Sequence, residues 1–576
     1  MGPRKTILLG CGLTLAVCYI SFLGLPNTQA QVVTATPAAA EHQLLQTAPA
    51  GLPEPQRTTK LVRVSVVVRD SHGNPVGGLT PDDFILLDDG RPQAIQHFTV
   101  ATNRPVDHYT PPLEADTYSN RLEDHPRIPD NATVILLDGA NTRFEDQAYA
   151  RRQTVKLLQQ IQPQDYVAVY TLGRELRVLH DFTSDATDLL ASLQTYRGEI
   201  AANTEESEPR EKLGYRLQAA PRSNDMLEPF LTFGAQLIRD SDIQNLERLT
   251  ADALTAIVDH LAVMPGRKNL IWVSERFPIW FENTKLESGP RGTASIFGEE
   301  TKAALRAVNE KGIAIYPVSA GGLMPSDQSL LKLSSSGAGR AGLEVSDHAD
   351  LDKMKNWADR TGGELFLHPD DIFGSVRSAM DDSQESYELG YYADAAASDV
   401  SFHTLTVSVR RIGVQVRARS GYFALPNPTL TSQIRKSLLA NIATSPLDAT
   451  GIGIRVRVKA ANLPGTQKLN ARVEFRPQEI SFAQVDGRWV GKVDAVVVQL
   501  DARNRIVDAM DETLDLNFLP DRFQQALKMG ISFARDVAIQ PDAAALRVIL
   551  RDTTTGTAGS VGIPVLQYFL RVKEEN

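Results

Sequence analysis

An acidic residue stands at the end of an apolar run in the segment TVILLDGANTRFED, where Asp138 follows Leu137. A short, continuous apolar run is typical of a strand that is buried on both faces of a parallel sheet. Ligands bind such sheets beyond the carboxyl ends of the strands, which is where Asp138 is expected. A hard divalent cation there would need oxygen ligands from a carboxylate, from nearby hydroxyl groups and from water. The pattern therefore leaves two interpretations, a metal site at Asp138 or a turn between a strand and a helix.

The turn interpretation depends on helix-capping chemistry. The segment TRFE has the spacing of a capping box, in which the Thr142 hydroxyl accepts a hydrogen bond from the backbone N–H of Glu145. Asp138 and Asn141 can likewise accept hydrogen bonds from N–H groups at the start of the helix, where negative charge is favourable. Each of these residues would then have a structural role without a metal.

The elements that follow must position this site. An amphipathic helix is predicted from Arg143 to about Ile161, and the strands DYVAVYTLG and LRVLHDF come next, joined by only two residues. So short a connection requires an antiparallel pair. Further helices alternate with buried strands such as KNLIWVS and IAIYPVS, apart from a polar, poorly periodic insertion over residues 197–244. A helix near Leu351 to Thr361 and the strand GELFLH are predicted towards the end of this unit. Residues 130–384 are therefore predicted to form a mostly parallel sheet with one antiparallel edge strand and helices on both faces.

Strand patterns with a period of two flank this unit. Residues 60–102 and residues 385–425 alternate apolar and polar side chains, and neither segment has enough strands to bury a face alone. We expect the two segments to pair into one β-sandwich into which the α/β unit is inserted. Residues 103–131, with five prolines, are predicted to be a linker, and residues 426–450 a second linker with a helix. Residues 451–576 predict a C-terminal β-sandwich.

The N-terminus has the pattern of a secretory signal. Arg4 and Lys5 precede an apolar stretch, and a small-residue site ends at Ala30, so residues 1–30 are predicted to be a cleaved signal peptide. An uncleaved anchor is the alternative, because about 20 apolar residues can span a bilayer. Residues 31–58, rich in Ala, Pro, Thr and Gln, predict a disordered leader. We expect a secreted, periplasmic or cell-envelope protein without a membrane span after cleavage.

Length, charge and cysteine content limit the classes of function. A chain of 576 residues is too long for one core and predicts several domains. The formal charge of -10 argues against a nucleic-acid partner, since such proteins need clustered Lys and Arg. Both cysteines, Cys11 and Cys18, lie in the signal segment, so the rest of the chain has neither disulfides nor zinc-thiolate ligands.

The strand, the acidic residue, the helix and the antiparallel edge pair together resemble a von Willebrand factor type A domain. More specific likenesses run over about residues 60–425 and resemble the von Willebrand factor A-related proteins of acidobacteria. They are carried by VVVRDSHGNPVGGLTPDDFILLDDGRPQ, FEDQAYARRQ, PGRKNLIWVS, AIYPVSAGGL, TGGELF, YELGYY and RSGYF. The resemblance implies a Rossmann-like α/β domain whose metal-ion-dependent adhesion site opens with Asp-x-Ser-x-Ser.

Carried over residue by residue, that adhesion site is degenerate. Asp138 takes the Asp position, Ala140 replaces the first Ser, and Thr142 keeps a hydroxyl at the second. The later threonine of the family would be Thr250, expected just before a helix, and the final acidic position is taken by Ser274. If Mg2+, Mn2+ or Ca2+ binds here, the candidate ligands are Asp138, Thr142, Thr250, Ser274 and the adjacent Glu275.

A binding function is favoured over catalysis. The chain shows no complete set of nucleophile, base and oxyanion donors in its motifs. Asn141 and Trp280 are candidate contacts for a protein or another extracellular macromolecule, because Trp280 is expected near the top of the sheet, although it could instead belong to a packing cluster. We expect a non-enzymatic binding or adhesion protein that uses the upper loops of the α/β domain. A structural or assembly component of the cell envelope is the alternative, and a hydrolase with an unrecognised site is a lesser one.

Overall fold

The structure is a computed structural model that describes most of the chain beyond residue 58. The predicted signal peptide, the predicted leader and Trp280 lie outside the described residues. Among the described residues, no helix combines the length and the apolar character needed to cross a membrane. The described residues are 59–102, 112–125, 131–159, 161–162, 165–196, 228–264, 266–279, 304–305, 307–308, 310–320, 341–367, 372–382, 384–394, 401–424, 432–460, 468–565 and 568.

Strands from both flanks of the α/β section form two facing sheets. They are β1 (Thr59–Asp70), β2 (Phe84–Asp88), β3 (Arg91–Pro92), β4 (His97–Thr102), β11 (Glu385–Asp394), β12 (Ser401–Val409), β13 (Val414–Ala418) and β14 (Gly421–Ala424). One sheet has the order β13-β1-β11-β4 and the other the order β14-β12-β2-β3. Val64 and Val66 of β1 share a buried cluster with Phe84 and Leu86 of β2. The two flanks thus pair with each other, as their strand patterns predict.

The α/β section is built on a five-stranded sheet in the order β10-β9-β6-β7-β8. Its strands are β6 (Ala132–Asp138), β7 (Val167–Leu172), β8 (Leu176–Thr183), β9 (Lys268–Ser274) and β10 (Ile313–Ser319). β8 runs antiparallel to β7, and the other described pairs are parallel. Every residue of β6, β9 and β10 is buried, which explains their continuous apolar sequences. The predicted mixed α/β fold is confirmed.

Helices cover this sheet, and alternate residues of each strand face different apolar clusters. The helices are α1 (Phe144–Leu158), α2 (Ala186–Thr195), α3 (Glu228–His260), α4 (Ala341–Thr361) and α5 (Ile372–Asp381). Leu136 and Trp272 belong to one cluster, with Leu254 of α3 and Trp357 of α4. Ile135 belongs to the other cluster. Asp138 and Ser274 follow Leu136 and Trp272 by two residues and therefore share their face.

The C-terminal strands form a second pair of sheets. They are β5 (Thr117–Ser119), β15 (Ile454–Ala460), β16 (Lys468–Phe475), β17 (Ala483–Val485), β18 (Arg488–Leu500), β19 (Ile506–Phe518), β20 (Ile531–Ala538), β21 (Ala545–Asp552) and β22 (Ala558–Pro564). One sheet has the order β20-β16-β15-β5, and the other has β17-β18-β21-β22 with β19 also on β18. α6 (Ser432–Thr444) and α7 (Pro520–Met529) complete the helices, with short 3-10 turns at Pro81–Asp83, Leu122–Asp124 and Pro477–Glu479.

The prediction that residues 103–131 form only a linker is wrong. β5 lies within this segment and pairs antiparallel with β15 of the second sandwich. The next residue, Asn120, donates its side-chain amide to the carbonyl oxygens of Ala449 and Ile452 at 2.6 and 2.9 Å. A strand of three residues is too short to produce a periodic pattern, so the prolines dominated the sequence-based interpretation.

Four further elements differ from the sequence-based predictions. The insertion predicted over residues 197–244 is helical from Glu228, where α3 begins; residues 197–227 lie outside the described part. The predicted strand GELFLH is reduced to a single bridge between Phe366 and Val318. α7 was not predicted, because its ten residues stand between two strong strand patterns. α4 begins at Ala341, ten residues before the start that its apolar pattern indicated.

Candidate functional site

The register of β6 against β9 brings the predicted site residues together at the carboxyl edge of the sheet. The two strands are parallel, and Leu137 is paired with Val273. Asp138 therefore lies beside Ser274, one residue beyond this pair. The two side chains are 2% and 0% exposed, so they lie beneath the surface of this edge.

The Asp138 carboxylate is surrounded by hydrogen-bond donors. Its Oδ2 atom accepts from Trp272 Nε1 at 2.8 Å and from Asn141 Nδ2 at 2.8 Å, and its Oδ1 atom accepts from the Asn141 backbone N–H at 3.0 Å. The Ser274 hydroxyl lies 3.2 Å from Oδ2 and 2.7 Å from the carbonyl oxygen of Arg276, so its single hydrogen has two acceptors within reach. Both carboxylate oxygens are thus occupied by groups of the chain itself.

Asn141 links the carboxylate to Thr250. Its amide Nδ2 donates to Asp138 Oδ2 and also to Thr250 Oγ1, at 3.1 Å. The expectation that Thr250 precedes a helix is wrong: it lies inside α3, where its hydroxyl donates to the carbonyl oxygen of Leu246 at 2.8 Å. Asn141 Oδ1 is buried without a hydrogen-bond partner in the described chain. The side-chain amide of Asn141 therefore joins Asp138 and Thr250, two residues that the resemblance assigns to a metal ion.

Thr142 and Glu275 hold the start of α1. The capping box predicted with Thr142 is wrong by one position, because the helix begins at Phe144 and the carbonyl oxygen of Arg143 accepts its first hydrogen bonds. Thr142 Oγ1 instead accepts from the backbone N–H of Glu275 at 3.2 Å. The Glu275 carboxylate accepts from the backbone N–H of Arg143 at 3.0 Å and contacts its guanidinium at 2.9 Å. An acidic side chain from the loop after β9 thus caps the helix and complements its dipole.

Burial determines the electrostatics of Asp138. It raises the pKa of this carboxyl group to about 6, while the hydrogen bonds from Trp272, Asn141 and Ser274 act in the opposite direction. A buried carboxylate without these donors would be far more costly to ionise. The donors therefore allow Asp138 to carry its charge at neutral pH without a cation.

The donor set does not fit a cation of the adhesion-site type. Such a cation needs carboxylate and hydroxyl oxygens with lone pairs directed to a common point. Here the indole of Trp272 and the amide of Asn141 direct N–H groups at Asp138, and Thr142 Oγ1 accepts from a backbone N–H. In this arrangement the oxygens of Asp138 serve as structural acceptors. Metal binding by the five candidate ligands stays a prediction, and the arrangement favours the turn interpretation.

Sequence reasoning did not find all the residues of this site. It missed the Trp272 indole, although its position two residues before Ser274 places both on one face of β9. It also missed Gln147, whose amide donates to the carbonyl oxygens of Gly139 and Thr142 at 2.9 and 3.0 Å and ties α1 to the loop. No sequence motif marks either contact, because each depends on how elements pack that are distant in the chain or run in different directions.

An exposed aromatic side chain lies beside the buried network. Phe144, the first residue of α1, is 51% exposed, and the side chain of Arg143 is 64% exposed. Asn141, predicted to contact a partner, is 2% exposed and serves the network below the surface instead. Among the described residues of this edge, Arg143 and Phe144 lie exposed at the start of α1, and we call these two residues the rim.

The fold and the rim define a mixed α/β sheet protein of the kind that the von Willebrand factor type A resemblance implies. No protein-family model matches the chain, and no curated protein matches it. Among solved structures it is similar to a von Willebrand factor type A protein from Catenulispora acidiphila, with 10% identity and a TM-score of 0.22 over 81% of this chain and 72% of that one.

Two shorter proteins match the chain over less than half of its length. The vWF domain of the type V pili tip protein Mfa5 from Porphyromonas gingivalis has 10% identity and a TM-score of 0.23, over 43% of this chain and 93% of that one. An aerotolerance-related membrane protein from Bacteroides fragilis has 14% identity and a TM-score of 0.21, over 44% and 98%. Likenesses of this degree do not define the function of this chain.

Proposed function

We propose that the protein is a non-enzymatic binding or adhesion protein, secreted or periplasmic, that contacts a protein partner through the rim. The resemblance to the acidobacterial von Willebrand factor A-related proteins is part of this proposal. The observation that carries it is the exposed side chain of Phe144 on a fixed support. Large aromatic and arginine side chains are the residues that most often dominate the energy of protein interfaces.

The support beneath the rim is rigid for a physical reason. Glu275 caps α1 at Arg143, and the amide of Gln147 ties the first turn of the helix to the loop that follows β6. Asp138 anchors the same loop through Asn141. A backbone segment that is already held in place loses little conformational freedom on binding, so more of the contact energy of its side chains contributes to affinity. We therefore propose that recognition does not require a cation at Asp138.

Site-specific photo-crosslinking tests this function. A photoreactive phenylalanine analogue at position 144, in cells that produce the protein, is expected to yield a discrete crosslinked partner, with or without chelator. Ile412 provides the matched control, because it is 99% exposed on the turn between β12 and β13. Equal crosslinking from positions 144 and 412, or none from either, would contradict recognition by the rim.

Assembly into the cell envelope is the second candidate function, and the junction of the two sandwiches favours it. The chain passes from β4 of the first sandwich through β5 of the second before it enters the α/β sheet at β6. Such a path suits a spacer, in which the position of one domain fixes the position of the next. Fractionation separates the two functions, since a released monomer supports the binding protein and a stable envelope complex supports the assembly component.

The observation that bears on the lesser alternative, a hydrolase, is a cavity of about 140 Å3 beside α3 and α6. Asp259 lines it, and burial raises the pKa of this carboxyl group to about 6. Lys311 and Arg551 also line it, but no His or Cys is among its described lining residues. The cavity is smaller than the roughly 300–1,000 Å3 of ordinary ligand pockets. These features favour the binding proposal over catalysis.

A further inference from the structure

A second polar cluster lies in the first sandwich, away from the rim. Asp88 ends β2, Asp89 follows it in the turn to β3, and His403 lies on β12. One ligand atom from each of the three side chains lies within 4.8 Å of the other two. Nδ1 of His403 is 3.0 Å from Asp89 Oδ2 and 3.4 Å from Asp88 Oδ1. Two carboxylates and an imidazole therefore converge on one point.

The surrounding groups orient each carboxylate in the same manner. Asp88 Oδ2 accepts hydrogen bonds from the hydroxyls of Tyr391 at 2.6 Å and Tyr422 at 3.0 Å. Asp89 Oδ1 accepts from the backbone N–H of Thr404 at 2.8 Å. Each acid thus uses one oxygen for neighbouring donors and directs the other towards His403. Hydrogen bonds of this kind fix the ligands in metal sites.

One of these inward oxygens needs a further partner. The side chain of Asp88 is 9% exposed, and its Oδ1 atom is buried without a hydrogen bond among the described residues. His403 Nδ1 is near it but does not form a hydrogen bond with it. A buried carboxylate oxygen left without a partner is costly. A cation between Asp88, Asp89 and His403 would satisfy it.

The separations suit a small transition-metal ion. Ligand atoms about 2.0–2.2 Å from a tetrahedral zinc ion lie about 3.3–3.5 Å apart, close to the two distances from His403 Nδ1. Imidazole is a poor ligand for Mg2+ and Ca2+ and a good one for zinc and related ions. We propose that Asp88, Asp89 and His403 bind a zinc-like divalent cation, with water completing the coordination. The side chain of Asp89 is 51% exposed, which leaves an entry path.

Such an ion would join the two halves of the first sandwich. Asp89 and Thr404, beside His403, are 315 residues apart in the chain, and the whole α/β sheet lies between them. A metal that bridges β2 and β12 therefore closes a long loop and stabilises the folded state by its binding free energy. Arg419, whose guanidinium lies 5.7 Å from the ring centre of Tyr422, offsets part of the charge of Asp88. We accordingly expect weaker binding than at a site without a neighbouring cation.

Calorimetric titration of the full chain with Zn2+ after chelator treatment, with Mg2+ in parallel, tests this site. Asp89→Asn preserves the turn, because Asn tolerates the positive φ of 47° and still accepts from Thr404. His403→Phe keeps an aromatic ring stacked on Tyr422; in the wild-type chain the ring centres of His403 and Tyr422 are 4.9 Å apart. His72→Gln is the control, because His72 is an exposed histidine beside Asp70.

The wild-type chain is expected to bind one Zn2+ at this cluster, to melt at a higher temperature with Zn2+ and to show no response to Mg2+. Both cluster variants should weaken Zn2+ binding by about tenfold or more, and the control should leave it unchanged. Absence of Zn2+ binding, or binding that survives both Asp89→Asn and His403→Phe, would overturn the proposal. A wild-type chain whose melting temperature is the same with and without Zn2+ would also overturn it.

Discussion

Replacing Asn141 by Asp tests whether an amide substitutes for a cation beneath the rim. In the wild-type protein, Asn141 Nδ2 lies 2.8 Å from Asp138 Oδ2 and 3.1 Å from Thr250 Oγ1. Asn141→Asp removes this donor and places a second carboxylate against the first. The same change recreates the oxygen-rich environment that a divalent cation prefers.

The expected loss of stability follows from two contributions. A hydrogen bond to a charged group contributes about 1.5–3 kcal/mol. Two unit charges 2.8 Å apart repel by about 6 kcal/mol at an effective dielectric constant of 20. Proton uptake by the pair limits this repulsion, because burial already raises the pKa of Asp138 to about 6. We therefore expect Asn141→Asp to lower the free energy of unfolding by about 3–6 kcal/mol at pH 7.5.

Thermal unfolding with Mg2+ and with chelator provides the assay. Mg2+ at about 100 times its dissociation constant should restore about 2.7 kcal/mol to Asn141→Asp, or roughly 5–10 °C in the melting temperature of the α/β domain. The wild-type protein and Asn141→Ala should not respond to Mg2+. Asn470→Asp is the matched control, because Asn470 donates to Asp536 at 2.6 Å on an exposed surface, where the cost should be about 1 kcal/mol or less. A wild-type protein that Mg2+ stabilises, or an Asn141→Asp variant as stable as the wild type, would refute the reasoning.

Three other variants test the charges that hold the fold. Asp259→Asn should stabilise the protein by roughly 1–3 kcal/mol at pH 7.5, because burial raises the folded pKa to about 6 from 3.8 and the acid therefore costs stability as the pH rises through this window. Urea unfolding should show this gain fall to about half near pH 5 and vanish only below pH 3.8. Asp382→Asn should lower the free energy of unfolding by about 3–5 kcal/mol, because this fully buried acid contacts the guanidinium groups of Arg69 and Arg417 at 2.6 Å each. A change below about 1 kcal/mol in urea unfolding would contradict this. Glu275→Ala should cost about 1–2 kcal/mol by removing the cap of α1, and unchanged hydrogen exchange in its first turn would count against the cap.

Sequence patterns were sufficient for the elements whose signal is local. The continuous apolar runs predicted β6, β9 and β10, and the two-residue connection predicted the antiparallel pair β7 and β8. The placement of Asp138 at the carboxyl edge followed from the same rule of parallel sheets. These features depend on residues that are neighbours in the chain or on strands that are buried on both faces. Both show directly in the local composition of the sequence.

Contacts between distant segments were not accessible in the same way. The amide of Asn141 meets Thr250 only because α3 packs over the end of β6, whereas the comparison with the adhesion motif treats Thr250 as a metal ligand. His403 approaches Asp88 and Asp89 only after the two flanks pair across the inserted sheet. Sequence spacing does not determine how distant strands pair. No motif in the sequence therefore indicates the cluster of Asp88, Asp89 and His403.

The most direct measurement is an anomalous difference map from crystals soaked in Mn2+. The account predicts no peak within coordinating distance of the Asp138 carboxylate, with Trp272 Nε1 and Asn141 Nδ2 still donating to it. A peak bound to Asp138 and Thr142, with either donor displaced, would contradict the claim that the rim is supported without a cation.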